Sequence, residues 1–320
     1  MRDKIVKRIL QAIPMLLFIS FISFLLMNLA PGDPAQGYIN SKMSKEQADL
    51  IRASLGLDQP MLARYFLWLK NTLTGDLGFS LITRQPVISE ISSRILATLG
   101  LMGMSLVLSV IISIPLGLYT ALHRNKFFDR VINVLNYVAI SIPSFWFAMI
   151  LITIFSSKLR LLPSVGMRTI GVDSTLDIIK HGILPTIVLS FSNIAVLTRY
   201  VRSCTITELK EDYVTTAISK GLSKNEILYK HIMKNALLPI ITILGMSLPS
   251  LVSGAFITET IFGWPGMGRL GINAIKSLDY PVIMAITLVT SIMVVLGNLI
   301  ADISYVLVDP RMRRSDKNVQ

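Results

Sequence analysis

Ionisable side chains are scarce in this sequence of 320 residues. Only 16% of the residues are charged and 52% are hydrophobic, and the mean hydropathy is +0.62. Because soluble proteins carry roughly 25% charged residues, this composition excludes a disordered chain, a coiled coil and an ordinary soluble enzyme. The net charge of +12 by itself indicates nucleic acid, an anionic membrane or an uneven distribution among loops.

The residues that build disulfides, metal sites and catalytic centres are also nearly absent. Cys204 has no second cysteine to pair with, and the three histidines, His123, His181 and His231, lack the spacing of metal ligands. The sequence contains no Gly-Lys dipeptide, so it has no phosphate-binding loop. It also lacks Gly-x-Ser-x-Gly, His-Glu-x-x-His and paired intramembrane aspartates, which disfavours a membrane-embedded enzyme. We expect no catalytic residue, no metal ligand and no bound cofactor in this chain.

Long stretches without any charge are what the sequence does contain. Six such windows cover residues 9–32, 95–123, 131–157, 181–198, 235–258 and 280–301. A helix needs about 20 apolar residues to cross a hydrocarbon core of roughly 30 Å. Five windows reach that length alone, and the fourth, with 18 residues, needs a further turn beyond Arg199. The alternative, core helices of a large globular protein, is disfavoured because six windows of this length are not expected there. We therefore predict an all-α integral membrane protein with six transmembrane helices.

The first window follows four cationic residues, as the apolar part of a signal peptide would. It exceeds the roughly 7 to 15 residues of such a segment, and Asn28 stands where a cleavage site needs a small residue two positions before Ala30. We therefore interpret it as a retained span. With the amino terminus inside, the short inner segments carry 18 Lys and Arg residues and the short outer segments carry 6. The positive-inside rule thus predicts that both termini are cytoplasmic, and topology accounts for the net charge without nucleic acid.

This topology divides the chain into four parts: 1–32, 33–94, 95–310 and 311–320. They are an amino-terminal tail with the first helix, an extracytoplasmic helical insertion, a five-helix core and a cytoplasmic tail. In the insertion, Ser44 with Gln47 fits a capping box, and Pro60 and Pro86 each begin an amphipathic run. The apolar face of the first run contains Leu62, Tyr65, Phe66, Leu69 and Leu73, and that of the second contains Val87, Ile91 and Ile95. We expect short helices that lie on the membrane, pack on the spans or receive an external partner, and packing is the commonest role for such apolar faces.

The polar segment 205–235 is long enough for two short helices and is interrupted by Lys220-Gly221-Leu222, so it predicts a helix-turn-helix. Gly221 supplies a turn with positive φ after a helix that ends near Ser219, and Ser223 with Glu226 forms a second capping box. Such a rigid pair of helices on the cytoplasmic face suits a surface on which another protein pushes. The alternative is an ordinary loop.

Several residues within or at the ends of the spans are candidates for lining a path through the membrane. Glu259 either lines the pathway or is a structural partner in the outer loop, because a carboxylate at a span end can reach water. Gly263, Gly266 and Gly268 around Trp264 and Pro265 predict a tight, non-helical corner at the outer surface, which is either a gate or a simple turn. Ser144 and Ser250 offer small polar surfaces for a weakly binding path, although helix packing is the more frequent role of such residues.

Several motifs resemble those of permease subunits of ATP-driven importers. Residues 212–221 resemble the EAA loop of that family, with Thr215-Thr216-Ala217 at the triplet and Gly221 at its glycine. The branch that imports dipeptides, oligopeptides and nickel is matched by further motifs from end to end. These are Pro31-Gly32-Asp33-Pro34, Leu55-Gly56-Leu57-Asp58-Gln59-Pro60, Gly75-Asp76-Leu77-Gly78, Pro143-Ser144-Phe145-Trp146, Asn235-Ala236-Leu237-Leu238-Pro239, Phe262-Gly263-Trp264-Pro265-Gly266-Met267-Gly268 and Asp309-Pro310-Arg311.

The resemblance implies a multi-pass protein of the cell membrane that forms half of an import pathway for short peptides, with nickel or a nickel chelate as the alternative cargo. It implies a second homologous permease, two ATP-binding subunits that use ATP and Mg²⁺, and an extracytoplasmic substrate-binding protein as partners, besides membrane lipid. The ATP-binding subunits would dock on 205–235, hereafter the coupling segment. Its contact residues would be Thr215, Thr216, Ala217, Lys220, Gly221, Leu222 and Ser223. An ATP-independent secondary transporter, which would use internal repeats, is a remote alternative because no repeat is evident.

Overall fold

The computed structural model describes residues 2–29, 43–54, 58–237 and 256–308, together with 240, 243–245 and 247. Regular structure in these residues is helical, apart from an isolated antiparallel bridge between Phe79 and Pro86. The helices are α1 (Arg2–Leu29), α2 (Lys45–Ser54), α3 (Met61–Leu73), α4 (Val87–Leu122), α5 (Phe127–Ser141), α6 (Ser144–Leu151), α7 (Thr175–Glu208), α8 (Asp212–Ser219), α9 (Lys224–Ile227), α10 (Met233–Ala236), α11 (Phe256–Ile261), α12 (Met267–Lys276) and α13 (Tyr280–Val308). Two π-helical stretches, Ile152–Lys158 and Leu228–Ile232, extend α6 and join α9 to α10. The all-α prediction is confirmed for this part of the chain.

Four helices are long and apolar enough to cross a membrane. They are residues 10–29 of α1, all of α4, all of α7 and residues 280–300 of α13. Helices α5 and α6 form a fifth candidate that is bent by 102°. The bend follows from Pro143, because a residue before proline is pushed out of the helical region and Ile142 is extended, with ψ of 124°. The predicted span 235–258 lies largely outside the described residues, so the count of six stays a prediction.

The centre of the bundle is the pair α4 and α7, which pack along most of their lengths. Small side chains of α4 recur every four residues on the contact face, and all of them are buried. They are Ser105, Ser109, Ser113 and Gly117. A Cβ at Gly117 would lie 2.5 Å from Val201 Cβ, and Ser109 Oγ donates to Ser190 O of α7 at 3.4 Å. Small residues at this spacing let two helix backbones approach closely in a membrane.

Helix α1 lies at the edge of the bundle, against α13 and the amphipathic helix α3. Phe24 of α1 and Tyr65 of α3 are buried together with Met284 of α13. Tyr65 also shares a hydrogen bond of 2.9 Å with Ser20. The contact thus attaches the first span to the rest of the protein through one aromatic cluster.

In the segment before α4, helices α2 and α3 begin where the capping and proline signals of the sequence predict them. Ser44 and Gln47 form both hydrogen bonds of a capping box at the start of α2, and α3 begins directly after Pro60. The run after Pro86 is not a separate short helix, because it continues without interruption through all 36 residues of α4. Val87 and Ile91 are buried against α12 and α13, so packing is the role of this run.

The apolar face predicted for α3 is only partly correct. Tyr65 and Leu69 pack on α1 as expected, whereas Leu62, Phe66 and Leu73 of the same predicted face are exposed. The residues that complete the contact are Met61 and Trp68. The stripe of α3 that packs on Phe24 of α1 and Met284 of α13 is therefore narrower than the apolar face that the sequence offers.

Candidate functional site

The coupling segment has the predicted local geometry. Helix α8 ends at Ser219, and Gly221 has φ of +77°. Ser223 Oγ accepts the backbone N–H of Glu226 at 3.3 Å, which caps α9. Gly221 is needed here because side chains strongly disfavour this left-handed backbone region.

Glu226 stabilises the start of α9 in a second way. Its carboxylate accepts from Lys230 Nζ at 2.7 Å, one turn further along. This hydrogen bond, the positive charge of Lys230 and the backbone N–H of Ser223 lower the pKa of Glu226 from its ordinary value. A negative charge in the first turn of a helix is favourable, so the turn after Gly221 is held in one conformation.

The coupling segment is seated on the ends of α4 and α7. One apolar cluster joins the three parts of the chain, and its members are mostly buried. It contains Leu118 of α4, Leu197 and Val201 of α7, and Val214, Ala217, Ile227, Leu228 and Ile232 of the coupling segment. Because this cluster is continuous, a displacement of α8 must move against the ends of both spans.

The opposite face of the coupling segment is open to solvent. Thr215, Thr216, Lys220 and Ser223 are exposed, Leu222 is half-buried and Ala217 is buried. Ala217 therefore contacts the spans rather than the outside. Two exposed apolar residues, Ile218 and Tyr229 with 61% and 59% of their surface accessible, were missed from the sequence. The order of residues could have indicated this exposure of Ile218. It directly follows Ala217, and neighbouring residues of a helix lie on different faces.

An ion pair fastens the start of α5 to the same end of α7. Arg202 donates from Nε and from Nη2 to the two carboxylate oxygens of Asp129, at 2.7 and 2.8 Å. Asp129 also accepts from the backbone N–H of Asn125 and from Nδ2 of Asn133, both at 2.8 Å. The sequence did not reveal this contact, because its partners stand 73 residues apart and charges in short loops usually face solvent.

At the other end of the bundle, residues 259–269, hereafter the glycine corner, surround a buried carboxylate. Glu259 has no exposed surface. Its Oε1 accepts from Thr98 Oγ1 at 2.8 Å, and its Oε2 accepts the backbone N–H of Arg269 at 3.1 Å. Thr98 Oγ1 in turn accepts the backbone N–H of Met267 at 2.8 Å. Glu259 thus joins the first turn of α12 to α4.

Glycines are required where the corner closes on Glu259 and on the loop before α7. A Cβ at Gly266 would overlap the Glu259 carboxylate, and Gly263 has φ of +58° with Val165 only 2.5 Å from the place of a Cβ. Trp264 is buried and donates from Nε1 to Ala97 O at 3.0 Å. The backbone N–H of Gly166 donates to Phe262 O at 2.8 Å. The corner is therefore packed against α4 and against the loop before α7.

The structure brings together some of the predicted pathway residues. Glu259, Trp264 and Gly266 meet in the buried corner, and Pro265 lies at its exposed edge. Ser144 is exposed at the first position of α6, and none of the described hydrogen bonds joins it to the corner. Ser250 lies outside the described residues. In the part of the chain that the structure describes, no group of three or more His, Cys, Asp or Glu side chains could hold a metal ion.

These apolar helices, with a polar helical segment seated on one end and a packed corner at the other, define a multi-span helical membrane protein. The chain matches, over residues 113–314, the family described as binding-protein-dependent transport system inner membrane component. Residues 1–102 match the description of the amino-terminal part of such components. The chain belongs to this family of inner membrane permease components.

Relatives of known function cover nearly the whole chain. It is 41% identical over 310 residues to the oligopeptide transport system permease protein AppB of Bacillus subtilis, covering 96% of this chain and 98% of that protein. It is 36% identical over 313 residues to the glutathione transport system permease protein GsiC of Escherichia coli K12, covering 98% and 99%. A solved structure of the MetNI methionine ABC transporter in an inward-facing conformation matches with a TM-score of 0.51 and 14% identity, over 68% of this chain and 97% of that one. This last likeness shows a shared fold alone.

Proposed function

We propose that this chain forms half of the translocation pathway of an ATP-driven, binding-protein-dependent importer of short peptides. The observation that carries the proposal is the coupling segment, whose exposed face is available to a peripheral subunit and whose buried face is continuous with α4 and α7. The relatives named for oligopeptide and glutathione transport support the peptide cargo. Nickel is less well supported, because neither of these names refers to it.

The partners follow from the same proposal. Two ATP-binding subunits supply ATP hydrolysis with Mg²⁺, since this sequence has no phosphate-binding loop. A second homologous permease completes the pathway, and an extracytoplasmic binding protein delivers the peptide. Closure of the ATP-binding subunits pushes on α8, and the apolar cluster transmits that push to α4 and α7. The glycine corner at the far end of α4 is the position of an outer gate, which Glu259 holds in place.

The orientation in this proposal has both termini in the cytoplasm. Lys and Arg residues support it through their excess in the segments assigned to the inside. The contacts are consistent with it, because Asp129 and Arg202 come from two segments assigned to the inside. Phe262 and Gly166, which share a hydrogen bond, come from two segments assigned to the outside.

Cysteine labelling tests the orientation directly. In a Cys204→Ser background, we expect Lys70→Cys to react with an impermeant maleimide in intact cells, because position 70 belongs to the extracytoplasmic insertion. We expect Ser219→Cys to react only after the membrane is opened. Both positions are exposed in the folded chain, so burial does not mask either result. The reverse pattern of labelling is incompatible with the proposed topology.

Transport itself is tested with proteoliposomes that contain this chain, the second permease and the ATP-binding subunits. We expect uptake of a radiolabelled dipeptide or tripeptide only when ATP and the loaded binding protein are both present. Nickel is offered in parallel, alone and with a small chelator. Uptake of nickel instead of peptide would transfer the assignment to the alternative cargo. Uptake by this chain alone, without ATP, would make it a secondary transporter.

A further inference from the structure

A cavity of about 490 Å³ opens where α3 crosses the two edge spans, α1 and α13. This volume lies in the range of small-molecule sites, which is roughly 300 to 1,000 Å³. Its wall is mainly apolar and includes side chains from both spans and from α3. The residues that matter here are Phe24, Arg64, Leu67, Asp76, Tyr280 and Met284.

Arg64 is the cation of this cavity. Its guanidinium carbon stands 5.8 Å from the centre of the Phe24 ring, and the side chain is half-buried. The described residues offer its guanidinium no recorded hydrogen-bond acceptor or carboxylate partner. Burial without a counter-charge lowers the pKa of Arg64 from its ordinary value. A half-buried cation in this condition is stabilised by an anion that enters the cavity.

A second polar group in the wall also lacks a partner. Tyr280 lines the cavity, and its phenolic oxygen is buried without a hydrogen bond to any described residue. That oxygen is not accessible from the cavity, so Tyr280 contributes its ring to the wall and no hydrogen bond to a ligand. Asp76, on the exposed part of the wall, supplies one negative charge, and its Oδ1 accepts the backbone N–H of Gly78 at 2.9 Å.

The position of the cavity favours a lipid over a water-soluble anion. Phe24 and Met284 belong to two membrane-crossing candidates, so the wall continues into surfaces that acyl chains cover. Phe66 and Leu67 of α3 expose 63% and 56% of their surfaces beside it, and Trp68 lines it. Exposed apolar residues on a short amphipathic helix, accompanied by tryptophan, are typical of the interface between headgroups and acyl chains.

We propose that this cavity binds a zwitterionic aminophospholipid. Arg64 holds its phosphate, Asp76 faces its amine, and its acyl chains lie along Phe24 and Leu67. The bound lipid fills the space between α3 and the two spans and so fixes the insertion to the bundle. A phosphate suits Arg64 because the planar guanidinium donates two parallel hydrogen bonds to it. A strongly anionic headgroup fits less well because of Asp76.

Native mass spectrometry of the purified full chain, titrated with phosphatidylethanolamine, tests this site. We expect Arg64→Gln to weaken binding of the most tightly held lipid at least about tenfold, because the loss of even one charge-assisted hydrogen bond typically has this effect. Lys70→Gln removes the same charge from the same helix outside the cavity, and we expect no change. Leu67→Trp keeps Arg64 but places a larger side chain in the cavity wall, and we expect it to weaken this binding event. The elution volume of each variant in gel filtration checks that it is folded.

Several results would overturn the proposal. One is equal lipid binding by the wild-type chain and both cavity variants. Another is tighter binding of phosphatidylglycerol than of phosphatidylethanolamine, which would contradict the role of Asp76. A third is displacement of the lipid by glycerophosphoethanolamine, which has no acyl chains, at the same concentration as the whole lipid. That result would indicate a site for a soluble phosphate ester.

Discussion

At the scale of single residues, the role of Glu259 depends on the residues that contact it. The sequence allowed two roles for it, because a carboxylate at the end of a span either faces water or bonds within the protein. In the structure its carboxylate is buried, and its hydrogen-bond partners are Thr98 and the first turn of α12. Thr98 stands 161 residues earlier in the chain. No local pattern could reveal that contact, whereas the three closely spaced glycines correctly predicted a tight corner.

The glycine corner should not tolerate a methyl group at position 266. Gly266→Ala places a Cβ against the Glu259 carboxylate, and we expect a loss of about 1–3 kcal/mol in the free energy of unfolding, as is typical of overpacking. Thermal unfolding in detergent measures the effect. Gly103→Ala is the matched control, because a Cβ at Gly103 would meet no atom within 4 Å and alanine is the better helix former. Equal midpoints for the two variants would show that the corner is loosely packed.

Residue-level reasoning from sequence succeeded where the cause was local. The Ser44 capping box and the positive φ of Gly221 each depend on a few neighbouring residues, and both are present. The ion pair between Asp129 and Arg202 depends on how two segments come together, and it was missed. The coupling role of Thr215, Lys220 and their neighbours stays a prediction.

At the scale of elements, the packing of α4 on α7 organises the bundle. Both helices could be predicted from their charge-free windows. The small-residue face of α4, from Ser105 to Gly117, is also visible in the sequence as small residues at every fourth position. The sequence does not predict which helix this face contacts, because hydrophobicity alone does not distinguish among the apolar faces of a membrane protein.

Enlarging Gly117 should separate these two helices. In Gly117→Leu the added atoms meet Val201 and the backbone oxygen of Thr198, and we expect at least about 1–3 kcal/mol of destabilisation and a large fall in the yield of folded protein. Gly100→Leu adds the same side chain to the same helix at a place where a Cβ would meet no atom within 4 Å. Fluorescence-detected gel filtration compares the folded fractions. A normal elution profile and yield for Gly117→Leu would exclude close packing at this position.

The bend between α5 and α6 was less predictable than the helices beside it. Pro143 signals an interruption, and the extended Ile142 is its direct consequence. The angle of 102°, however, depends on what the two halves pack against. Helix α6 shares a buried cluster with α7, in which Ala148 meets Leu184 and Val188. The direction of α6 after the bend therefore depends on tertiary packing, which a local sequence pattern does not predict.

At the scale of the whole molecule, two packed ends are joined by the long helices α4 and α7. One end carries the coupling segment and the ion pair of Asp129, and the other carries the glycine corner. Helix α4 takes part in both ends through Thr98 and Leu118. Helix α7 does so through Leu184, which shares a buried cluster with Phe262, and through Val201 in the cluster of the coupling segment. In the proposed function, this connection is the mechanical route between a cytoplasmic subunit and an outer gate.

The most direct test of this account is the ratio of peptide transported to ATP hydrolysed in proteoliposomes with all partner subunits. Gly221→Val strains the turn of the coupling segment, because a β-branched residue disfavours φ of +77°. Gly75→Val imposes the same kind of strain at φ of +87° in the extracytoplasmic insertion. We predict that Gly221→Val lowers the ratio at least about fivefold, a coupling loss of about 1 kcal/mol, while Gly75→Val leaves it unchanged. An unchanged ratio in Gly221→Val would contradict the claim that force passes through the coupling segment.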